Sequence, residues 1–540
     1  MSQAPRTLAE ANVYVRRYSG RRSPARTIRN FVLLVILVAS VWFFWVTRDN
    51  WPMARLVPKD PAFQLCATDL LLNRKEIAAS RVWELAPPDS AAPEIRTALA
   101  GNFGLPEWVI NNLIQGLGLV SGESLGQPDN AIFVTRISRV GCALEKLRGF
   151  SGQVEDDPAG GLGLRYVKAA EAYYALRGRV IVASRSREAL IRALTLREDQ
   201  CLSPEDFAAV QEAAAGRNLL ASVRPGEDEP LGAALQQVDL TIALKQDAVQ
   251  LDCKATPHPE FAPALNAIFG AGKLPVLPAP VSGLVEVSGD FGRPFTEVWS
   301  ALLLGFPENG ALQSARKSID GMAESMGDKK ELVTKSLNAL GTGFSLSWTG
   351  VDTLEVVPAP QLVARIDAPQ AAGYQVLVRA ALPRTITTNE DEVKPWFDDT
   401  AKLAIFPMIG GPSMHPAVAF KDQKIVIASS STLAREFLAG QVPLATDEAQ
   451  GNLLVRVRVA PAVAAVFAAG QEFADSGFIK GHTAASFQEM ASQWTARAAQ
   501  VDQLTGLFAY GNGLAQLRLT LTMAPQQAAP AAAPAPAPGS

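Results

Sequence analysis

The residues that most often carry catalysis are few and scattered in this sequence. His258, His415 and His482 are its three histidines, and none has another histidine or a cysteine within metal-ligand spacing. Histidine is the side chain that most often acts as a general base, and zinc sites draw several histidine or cysteine ligands together. We therefore interpret the histidines as loop residues and predict no metal site and no bound cofactor.

Two short patterns resemble catalytic motifs but lack the companions of those motifs. Ser314 and Lys317 have the SxxK spacing of penicillin-binding enzymes, but the KTG strand has no match at Leu340–Gly343 and no SDN element is present. Gly160–Gly163 lacks the third glycine of a dinucleotide-binding turn, and the chain has no P-loop. We predict that the protein is not an enzyme.

Clustered carboxylates are the remaining candidates for chemistry. A glycosidase needs two carboxylates that face each other across a cleft, and sequence does not reveal such a geometry. Charge runs beside proline and glycine are usually solvated loops, which is the interpretation we prefer. A hydrolase acting on peptidoglycan or glycan stays as the alternative. The clusters are Glu155–Asp157, Glu227–Glu229, Glu390–Glu392 and Asp398–Asp399.

An apolar segment near the N-terminus predicts a transmembrane helix over 30–47. Phe31–Val46 contains only one polar residue, Ser40. As a helix this run would rise about 24 Å, whereas a bilayer core is about 30 Å thick, so Asn30 and Thr47 must extend it. A cleaved signal peptide and a buried helix are the alternatives. The expected anchor residues are Phe31, Leu34, Ile36, Val41, Trp42 and Trp45.

Positive charge precedes this apolar segment. Residues 1–29 hold seven arginines against one acid, Glu10, which is a net +6 and leaves about −9 for the rest of a chain whose total is −3. The positive-inside rule then predicts a cytoplasmic N-terminus and a periplasmic bulk, with the bilayer as one partner. An acidic bulk without a basic patch excludes nucleic-acid binding. The arginines we expect to set topology are Arg16, Arg17, Arg21, Arg22, Arg26 and Arg29.

The four cysteines lie in the first half of the part predicted to be exported. An oxidising compartment allows two disulfides in any of three pairings, and buried free thiols are the alternative. No CxxC spacing occurs, which excludes a zinc ribbon or a thioredoxin-type motif. The possible disulfide residues are Cys66, Cys142, Cys201 and Cys253.

Four sequence blocks occur twice in the same order, which indicates an internal duplication. Each match is short, and the shared order is what makes the set informative. The matched blocks are 133–137 with 362–366, 180–184 with 425–429, Asn218–Leu220 with Asn452–Leu454, and 238–256 with 504–523.

Each copy has the pattern of a hairpin, a helix cap and a helix. Val180–Ser184 is a short β-branched strand, and Ser184 or Ser186 can cap the helix that follows. The apolar alternation of 238–256 and 504–523 indicates paired antiparallel strands. We predict the α+β class, with one N-terminal transmembrane helix followed by two tandem related modules of antiparallel sheet that carry helices on one face.

These patterns divide the chain into segments. The Ala/Pro alternation after Met523 predicts a disordered tail. Further helices are predicted over 106–117, 260–269 and 462–500. The predicted segments are a basic cytoplasmic arm (1–29), the transmembrane helix (30–47), a linker (48–62), module 1 (63–275), module 2 with helical insertions (276–523) and the tail (524–540).

The anchor, the repeated unit Val180–Ser184 with Ile425–Ser429, and the Ala/Pro tail together resemble uncharacterised bacterial envelope proteins with one membrane span and duplicated α+β halves. This resemblance implies a non-enzymatic role in the envelope and brings no catalytic residues. Our leading hypothesis is a membrane-anchored periplasmic protein of the inner membrane that binds or scaffolds an envelope protein partner. A lipid-binding carrier is the alternative beside the hydrolase.

Overall fold

The computed structural model describes residues 24–525. Most of the predicted basic arm and nearly all of the predicted tail therefore lie outside the described residues. Gaps within the described range are 50, 87–89, 91, 102–113, 125, 149–153, 158–161, 169–170, 227–233, 270–273, 276–282, 326–339, 353–357, 383–387, 390–391, 408–413, 440–449, 478 and 480–482.

Antiparallel strands form most of the framework. The strands are β1 (Phe63–Thr68), β2 (Ile114–Gly122), β3 (Ile132–Ile137), β4 (Val154–Asp156), β5 (Arg165–Val167), β6 (Ala172–Arg177), β7 (Val180–Ser184), β8 (Leu219–Val223), β9 (Leu235–Leu244), β10 (Ala248–Pro257), β11 (Leu274–Pro275), β12 (Val285–Asp290), β13 (Gly343–Asp352), β14 (Ala359–Asp367), β15 (Thr388–Asn389), β16 (Glu392–Val393), β17 (Trp396–Asp398), β18 (Leu403–Ile405), β19 (Ala417–Lys421), β20 (Lys424–Ala428), β21 (Gln450–Gly451), β22 (Leu453–Arg458), β23 (Val501–Gly511) and β24 (Leu514–Met523).

Helices connect these strands and cover parts of the sheet. The helices are α1 (Pro24–Val46), α2 (Leu70–Ala79), α3 (Ala92–Ala100), α4 (Arg139–Arg148), α5 (Arg187–Thr195), α6 (Pro204–Ala214), α7 (Ala262–Phe269), α8 (Phe295–Gly305), α9 (Gly310–Ser325), α10 (Ala371–Ala381), α11 (Ser431–Leu438), α12 (Val459–Asp475) and α13 (Ala484–Ala498).

The chain forms two compact units, and each unit draws on separate stretches of sequence. Unit 1 consists of Met1–Lys59, Pro106–Gly118 and Pro128–Pro204. Unit 2 consists of Asp60–Leu105, Leu119–Gln127 and Glu205–Ser540.

One continuous antiparallel sheet runs through unit 2. Its strands follow one another in the order β17, β18, β19, β20, β14, β13, β12, β22, β23, β24, β10, β9, β8, β1. The pairing of β10 with β24 joins strands from the two halves of the sequence. Each of these long strands would otherwise leave an open edge, and pairing removes both edges at once.

Unit 1 repeats part of this topology. Its strands are ordered β3, β7, β6, β5, β4, and all of these pairs are antiparallel. The order β14, β20, β19, β18, β17 in unit 2 is the same arrangement. The helix caps also recur, because Ser186 accepts the N–H of Ala189 and Ser430 accepts the N–H of Leu433.

The repeated sequence blocks are equivalent strands, but two of them are shifted. The N–H of Ile137 donates to the carbonyl of Arg179, and that of Ala368 donates to the carbonyl of Gln423. Ile137 therefore corresponds to Ala368, two residues beyond the predicted match. The hairpin registers likewise pair Val182 with Ala175 and Val426 with Ala419, so the second block is shifted by one residue.

The other two blocks match as predicted. The side chain of Asn218 accepts the N–H of Leu244, and the side chain of Asn452 accepts the N–H of Tyr510. Since Asn218 corresponds to Asn452 and Leu244 to Tyr510, the hairpin β9–β10 is equivalent to β23–β24.

The β10–β24 pair has a two-fold relation at its centre. In this equivalence Asp252 corresponds to Arg518, and these two residues also face each other across the ladder. Their side chains form an ion pair at 2.6 Å. In a symmetric pair of identical strands this position would face its own copy, so the opposite charges require the two strands to differ in sequence.

The predicted fold class is wrong in two respects. Within the part of the chain that the structure describes, no helix combines the length and the apolarity needed to cross a bilayer. The apolar run of α1 begins at Phe31, and the first turns of the helix contain Arg26 and Arg29. The predicted transmembrane helix over 30–47, the signal anchor and the single-pass inner-membrane location are therefore incorrect. The second error is the pair of separate sheets, because β10 and β24 unite strands of both predicted modules.

The substitution Arg518→Asp tests the charge pair at the centre of this seam. It places a second carboxylate opposite Asp252, and like charges directly opposite in a sheet are destabilising by up to about 1 kcal/mol. We expect urea denaturation to show a larger loss of unfolding free energy for Arg518→Asp than for the neutral control Arg518→Gln. Equal losses would mean that the opposite charges do not stabilise the seam.

Candidate functional site

The central strands of unit 2 separate apolar and polar side chains onto opposite faces. In β24, Leu517, Leu519 and Leu521 alternate with Arg518 and Thr520. Successive side chains of a strand point to opposite sides, so the leucines share one side of the sheet. We call this side the apolar face.

The apolar face is continuous across the strands of unit 2. The cross-strand partners join into one row, here called the central row, in which every residue is apolar or glycine. The central row is Val418, Ile427, Ala364, Leu346, Val287, Val455, Gly506, Leu519, Leu251, Ile242 and Leu219.

Two neighbouring rows on the same face are also apolar. They lie two residues along each strand from the central row, one on either side of it. The first is Leu362, Trp348, Val285, Val457, Leu504, Leu521, Val249 and Leu244. The second is Phe420, Ile425, Ile366, Phe344, Gly289, Leu453, Phe508, Leu517, Cys253, Leu240, Ala221 and Leu65.

The side chains of the central row are incompletely covered. All of its positions except Gly506 are half-buried or exposed. Leu346 is 42% exposed and Ile427 is 39% exposed, and both lie directly opposite Ala364 on neighbouring strands. Leu362, 37% exposed, precedes Ala364 on its own strand. These side chains form a contiguous apolar patch around Ala364, a type of surface that commonly marks an interaction site.

Gly506 is the one buried position of the central row, because the side chains of its neighbours cover it. A Cβ atom at Gly506 would lie 3.1 Å from Cδ2 of Leu519 and 3.8 Å from Cβ of Val455. The two side chains thus fill the space above the glycine, and the row stays apolar across β23.

The opposite face differs between the centre and the edge of the sheet. In the centre it is polar, where Asp252 bonds to Arg518 at 2.6 Å, Arg217 at 3.2 Å and Gln250 at 2.9 Å. Towards β14 and β20 it is apolar and buried, with Val363 and Ala428 packed against Leu433 of α11. The face that carries Leu346 and Ile427 is therefore not the one that α11 covers.

An aromatic cluster borders the apolar face where β23 ends. The ring centroid of Phe269, in α7, lies 5.1 Å from that of Phe508 and 5.9 Å from that of Tyr510. Tyr510 is only 2% exposed, and burial raises its pKa. The Tyr510 hydroxyl has no hydrogen-bond partner within the described structure. A buried hydroxyl without a partner is uncommon and needs an explanation.

Asn452 holds the elements of this cluster together. Its Oδ1 accepts the N–H of Tyr510 at 2.6 Å, and its amide group donates to the carbonyls of Phe269 at 3.4 Å and Asp290 at 3.5 Å. The residue is fully buried. One side chain thus links β23, the end of α7 and the end of β12.

The residues expected to do chemistry are not brought together. His258 lies in the β10–α7 connection, His415 packs edge-on to Trp396, and His482 lies outside the described residues. Ser314 and Lys317 are exposed on α9. Among the described residues, no group of three or more His, Cys, Asp or Glu side chains has a geometry that could hold a metal ion.

The carboxylate clusters that the structure describes take part in turns and ion pairs. Glu155 pairs with Lys168 at 2.6 Å, and Asp157 pairs with Arg187 at 2.7 Å. Asp398 accepts two backbone N–H groups and pairs with Arg435 at 3.2 Å. Residues 227–229 and 390–391 lie outside the described residues.

All four cysteines are free thiols in the structure. Cys66, Cys142 and Cys201 are buried, and burial raises the pKa of Cys66 to about 12. Cys253 is half-buried on the apolar face between Leu240 and Leu517. The pairings considered from the sequence stay predictions.

The predicted anchor residues lie on α1 in unit 1. Their side chains are exposed, from 42% at Trp42 to 76% at Trp45. Of the predicted topology residues, Arg26 and Arg29 lie in α1, and the four arginines from Arg16 to Arg22 lie outside the described residues.

Comparison with known proteins establishes no specific function. No family model and no curated protein matches this chain. Three solved structures entitled crystal forms I, IV and III of TP0453 match it at 7%, 9% and 7% identity, with TM-scores of 0.23, 0.23 and 0.24. They cover 39%, 41% and 42% of this chain and 80%, 86% and 90% of their own. Likeness at this level carries no argument, and the resemblance to envelope proteins stays a prediction.

Sequence reasoning missed the apolar face, although its local signal was present. The alternation in 238–256 and 504–523 already identified one apolar side for each hairpin. It did not reveal that the two hairpins pair with each other, which merges their apolar sides into one surface.

Asn452→Ala tests the polar link beneath the aromatic cluster. The substitution leaves the buried N–H of Tyr510 without its acceptor and removes two donors, so we expect a loss of about 2–3 kcal/mol in the unfolding free energy of unit 2. Asn218→Ala is the matched control, because the equivalent half-buried Asn218 accepts only the N–H of Leu244 among the bonds described. Urea denaturation should show a clearly smaller loss for the control; similar losses would contradict this role of Asn452.

The lowered pKa of Asp398 makes part of the folding stability depend on pH. The N–H of Ala401, and then Arg435 and the N–H of Thr400, hold its pKa below the ordinary value. A lowered pKa in the folded state stabilises the protein above about pH 4, and this contribution is lost as the pH falls through the folded-state value. Asp398→Asn should therefore lower the melting temperature more at pH 7 than at pH 3. An equal effect at both pH values would contradict the assignment.

Proposed function

We propose that this protein is a non-catalytic binding protein and that the apolar face of unit 2 is its docking surface for an apolar ligand. The observation that supports the proposal is the central row, which is apolar in every strand from β19 to β8 and is incompletely covered. A purely structural core face would be expected to have its large side chains buried.

The chemistry of the face favours binding by burial of apolar surface. The backbone N–H and C=O groups of the interior strands are engaged in ladders, so they offer no hydrogen bonds for adding a strand. At about 25 cal/mol per Å², covering roughly 300 Å² of apolar surface would supply about 7 kcal/mol before the costs of association. The net affinity is the part of this amount that remains after those costs.

The absence of an acid–base pair on this face supports a non-catalytic role. The three rows hold no histidine, carboxylate, lysine or arginine, and general acid–base catalysis needs a titratable group within hydrogen-bond reach of the substrate. Glu155, Asp157 and Asp398 are engaged with lysine, arginine or backbone N–H groups, which offers the glycan hydrolase no specific support.

The protein partner expected from the sequence remains a prediction. The surface that would receive it is the patch around Ala364, since Leu346, Leu362 and Ile427 are its most exposed large side chains.

The substitutions Leu346→Asp and Ile427→Asp test the docking surface. Both side chains are well exposed, so the fold should survive the change. With anilinonaphthalene sulfonate as the probe, we expect the folded protein to bind in fluorescence titrations and each variant to bind at least ten-fold more weakly. The introduced carboxylate removes apolar contact surface for the aromatic rings of the probe and repels its sulfonate group.

Val466→Asp is the matched control, because Val466 is 54% exposed on α12. It should bind the probe as the unsubstituted protein does. The proposed function fails if the folded protein does not bind the probe, or if the control and the two face variants lose affinity equally. Circular dichroism and urea denaturation establish that each variant is folded.

A further inference from the structure

Helix α1 of unit 1 carries the most exposed apolar surface among the described residues. Half of the large apolar side chains that are exposed in the described structure lie on this helix, and each of them is 42–76% exposed. Every residue from Phe31 to Ala39 is exposed, so the apolar surface extends around the whole helix. The exposed large apolar residues of α1 are Phe31, Val32, Leu33, Leu34, Val35, Ile36, Leu37, Val38, Val41, Trp42, Phe44 and Trp45.

The C-terminal end of α1 is fixed to the rest of unit 1. Thr47, directly after the helix, is buried, and the carbonyl of Val46 accepts a hydrogen bond from Sγ of Cys142 at 3.7 Å. The guanidinium of Arg139, in α4, lies 5.3 Å from the centre of the Phe44 ring. The exposed part of the helix therefore continues from a base that is packed and hydrogen-bonded.

The amount of apolar surface on α1 exceeds what a monomeric protein normally exposes. The largest apolar patch of a typical monomer is about 300–600 Å². Twelve large side chains that are each about half exposed present on the order of 1,000 Å². One partner in a stable complex contributes about 800 Å² of surface. The helix alone is therefore large enough to form a stable interface.

An apolar groove along α1 has a shape that suits another helix. Its volume is about 320 Å³, and its lining residues are spaced three, four and seven positions apart, so they lie on one side of the helix. Helices pack by fitting such rows of side chains into the grooves of a neighbour. The groove is lined by Leu37, Val38, Val41, Trp42 and Trp45.

Two observations favour further copies of this chain as the occupant. A groove on a different protein would cover one side of α1 and leave the other sides exposed, whereas α1 helices from further copies can cover it on several sides. Phe31–Thr47 also contains no charged residue, so copies of this segment meet without repulsion between like charges. Each copy brings an apolar helix of equal length, which matches the surface that has to be covered.

We propose that α1 is the self-association element of this protein and packs against α1 of further copies of the chain in a helical bundle. The interface is apolar, and the helices approach to about 8–10 Å between their axes. This inference is independent of the proposed function, because α1 belongs to unit 1 and the patch around Ala364 belongs to unit 2.

The substitutions Leu37→Glu and Val41→Glu test the association. Both side chains are exposed within one chain, so the fold should survive the change, whereas a bundle would bury the new carboxylate in an apolar interior. Sedimentation velocity of the full chain should show an oligomer of defined mass, and each variant should raise its dissociation constant at least about ten-fold. The matched control is Leu304→Glu, the same change at an exposed position of α8, which should leave the mass unchanged.

The substitution Ala39→Cys measures contact between the helices directly. Ala39 is exposed near the middle of the apolar segment, where two copies of α1 meet whether they run parallel or antiparallel. Mild oxidation should therefore link two chains of this variant through a disulfide. The control Ser314→Cys places a thiol on the exposed surface of α9 and should give no linked pair. The four native thiols are buried or half-buried, which keeps the background low.

Several outcomes would overturn the inference. The unsubstituted protein could be a monomer, could form aggregates without a defined mass, or could form an oligomer that Leu37→Glu and Val41→Glu leave intact. A monomer that floats with phosphatidylcholine vesicles, and loses this property in Leu37→Glu, would show that lipid covers α1 instead. Leu346→Asp should leave the oligomer intact, so a failure of the proposed function appears in probe binding and a failure of this inference appears in molecular mass.

Discussion

The register between β10 and β24 is the constraint on which the remaining structure of unit 2 depends. A shift of one residue in this ladder would turn the leucines of β24 to the side of Gln250 and Asp252 and would break the apolar face in two. The ion pair between Asp252 and Arg518, at the centre of the ladder, favours the observed register because both charges lie on the polar side. The chemistry of one face is therefore set in part by a charge pair on the other face.

The predicted duplication would account for so wide a surface in one chain. Each copy contributes a long hairpin with one apolar side, and the two hairpins meet edge to edge about a local two-fold relation. The copies have then diverged at single positions. Asp252 corresponds to Arg518 and Leu244 corresponds to Tyr510, while α12 and α13 are inserted between β22 and β23, where the first copy passes from β8 to β9 without them. Divergence of this kind provides an asymmetric surface on a nearly symmetric scaffold.

Local patterns in the sequence predicted much of the secondary structure but not the pairing of distant strands. The helix predicted over 260–269 is present as α7, and the segment predicted over 462–500 forms two helices, α12 and α13. The blocks at Asn218 and Asn452 were matched correctly because an asparagine side chain and two leucines define the alignment. The blocks at 133–137 and 180–184 were misaligned by one or two residues, since runs of β-branched residues match one another at several offsets. The helix predicted over 106–117 was wrong at its end, where β2 begins at Ile114.

The candidate site was harder to predict because it is a property of the assembled sheet. Val455, Gly506 and Leu519 form one stretch of surface only once β22, β23 and β24 are aligned, and no local pattern encodes that alignment. The prediction of a transmembrane helix failed although its local signal was strong. It depended on a strong local signal, the apolar run from Phe31 to Val46, without a test of whether the described helix could span a bilayer.

The two faces of the sheet differ in how deeply their apolar side chains are buried. Towards β14 and β20 the covered face is filled by α11, with Val363, Val426 and Ala428 almost fully buried, so the core that stabilises this part of unit 2 lies there. Leu346, Leu362 and Ile427 on the other face contribute little to that core because they remain 37–42% exposed. Replacing them with polar residues would cost the fold little and would reduce exposed apolar surface. Their exposure is the observation on which the proposed docking of an apolar ligand rests.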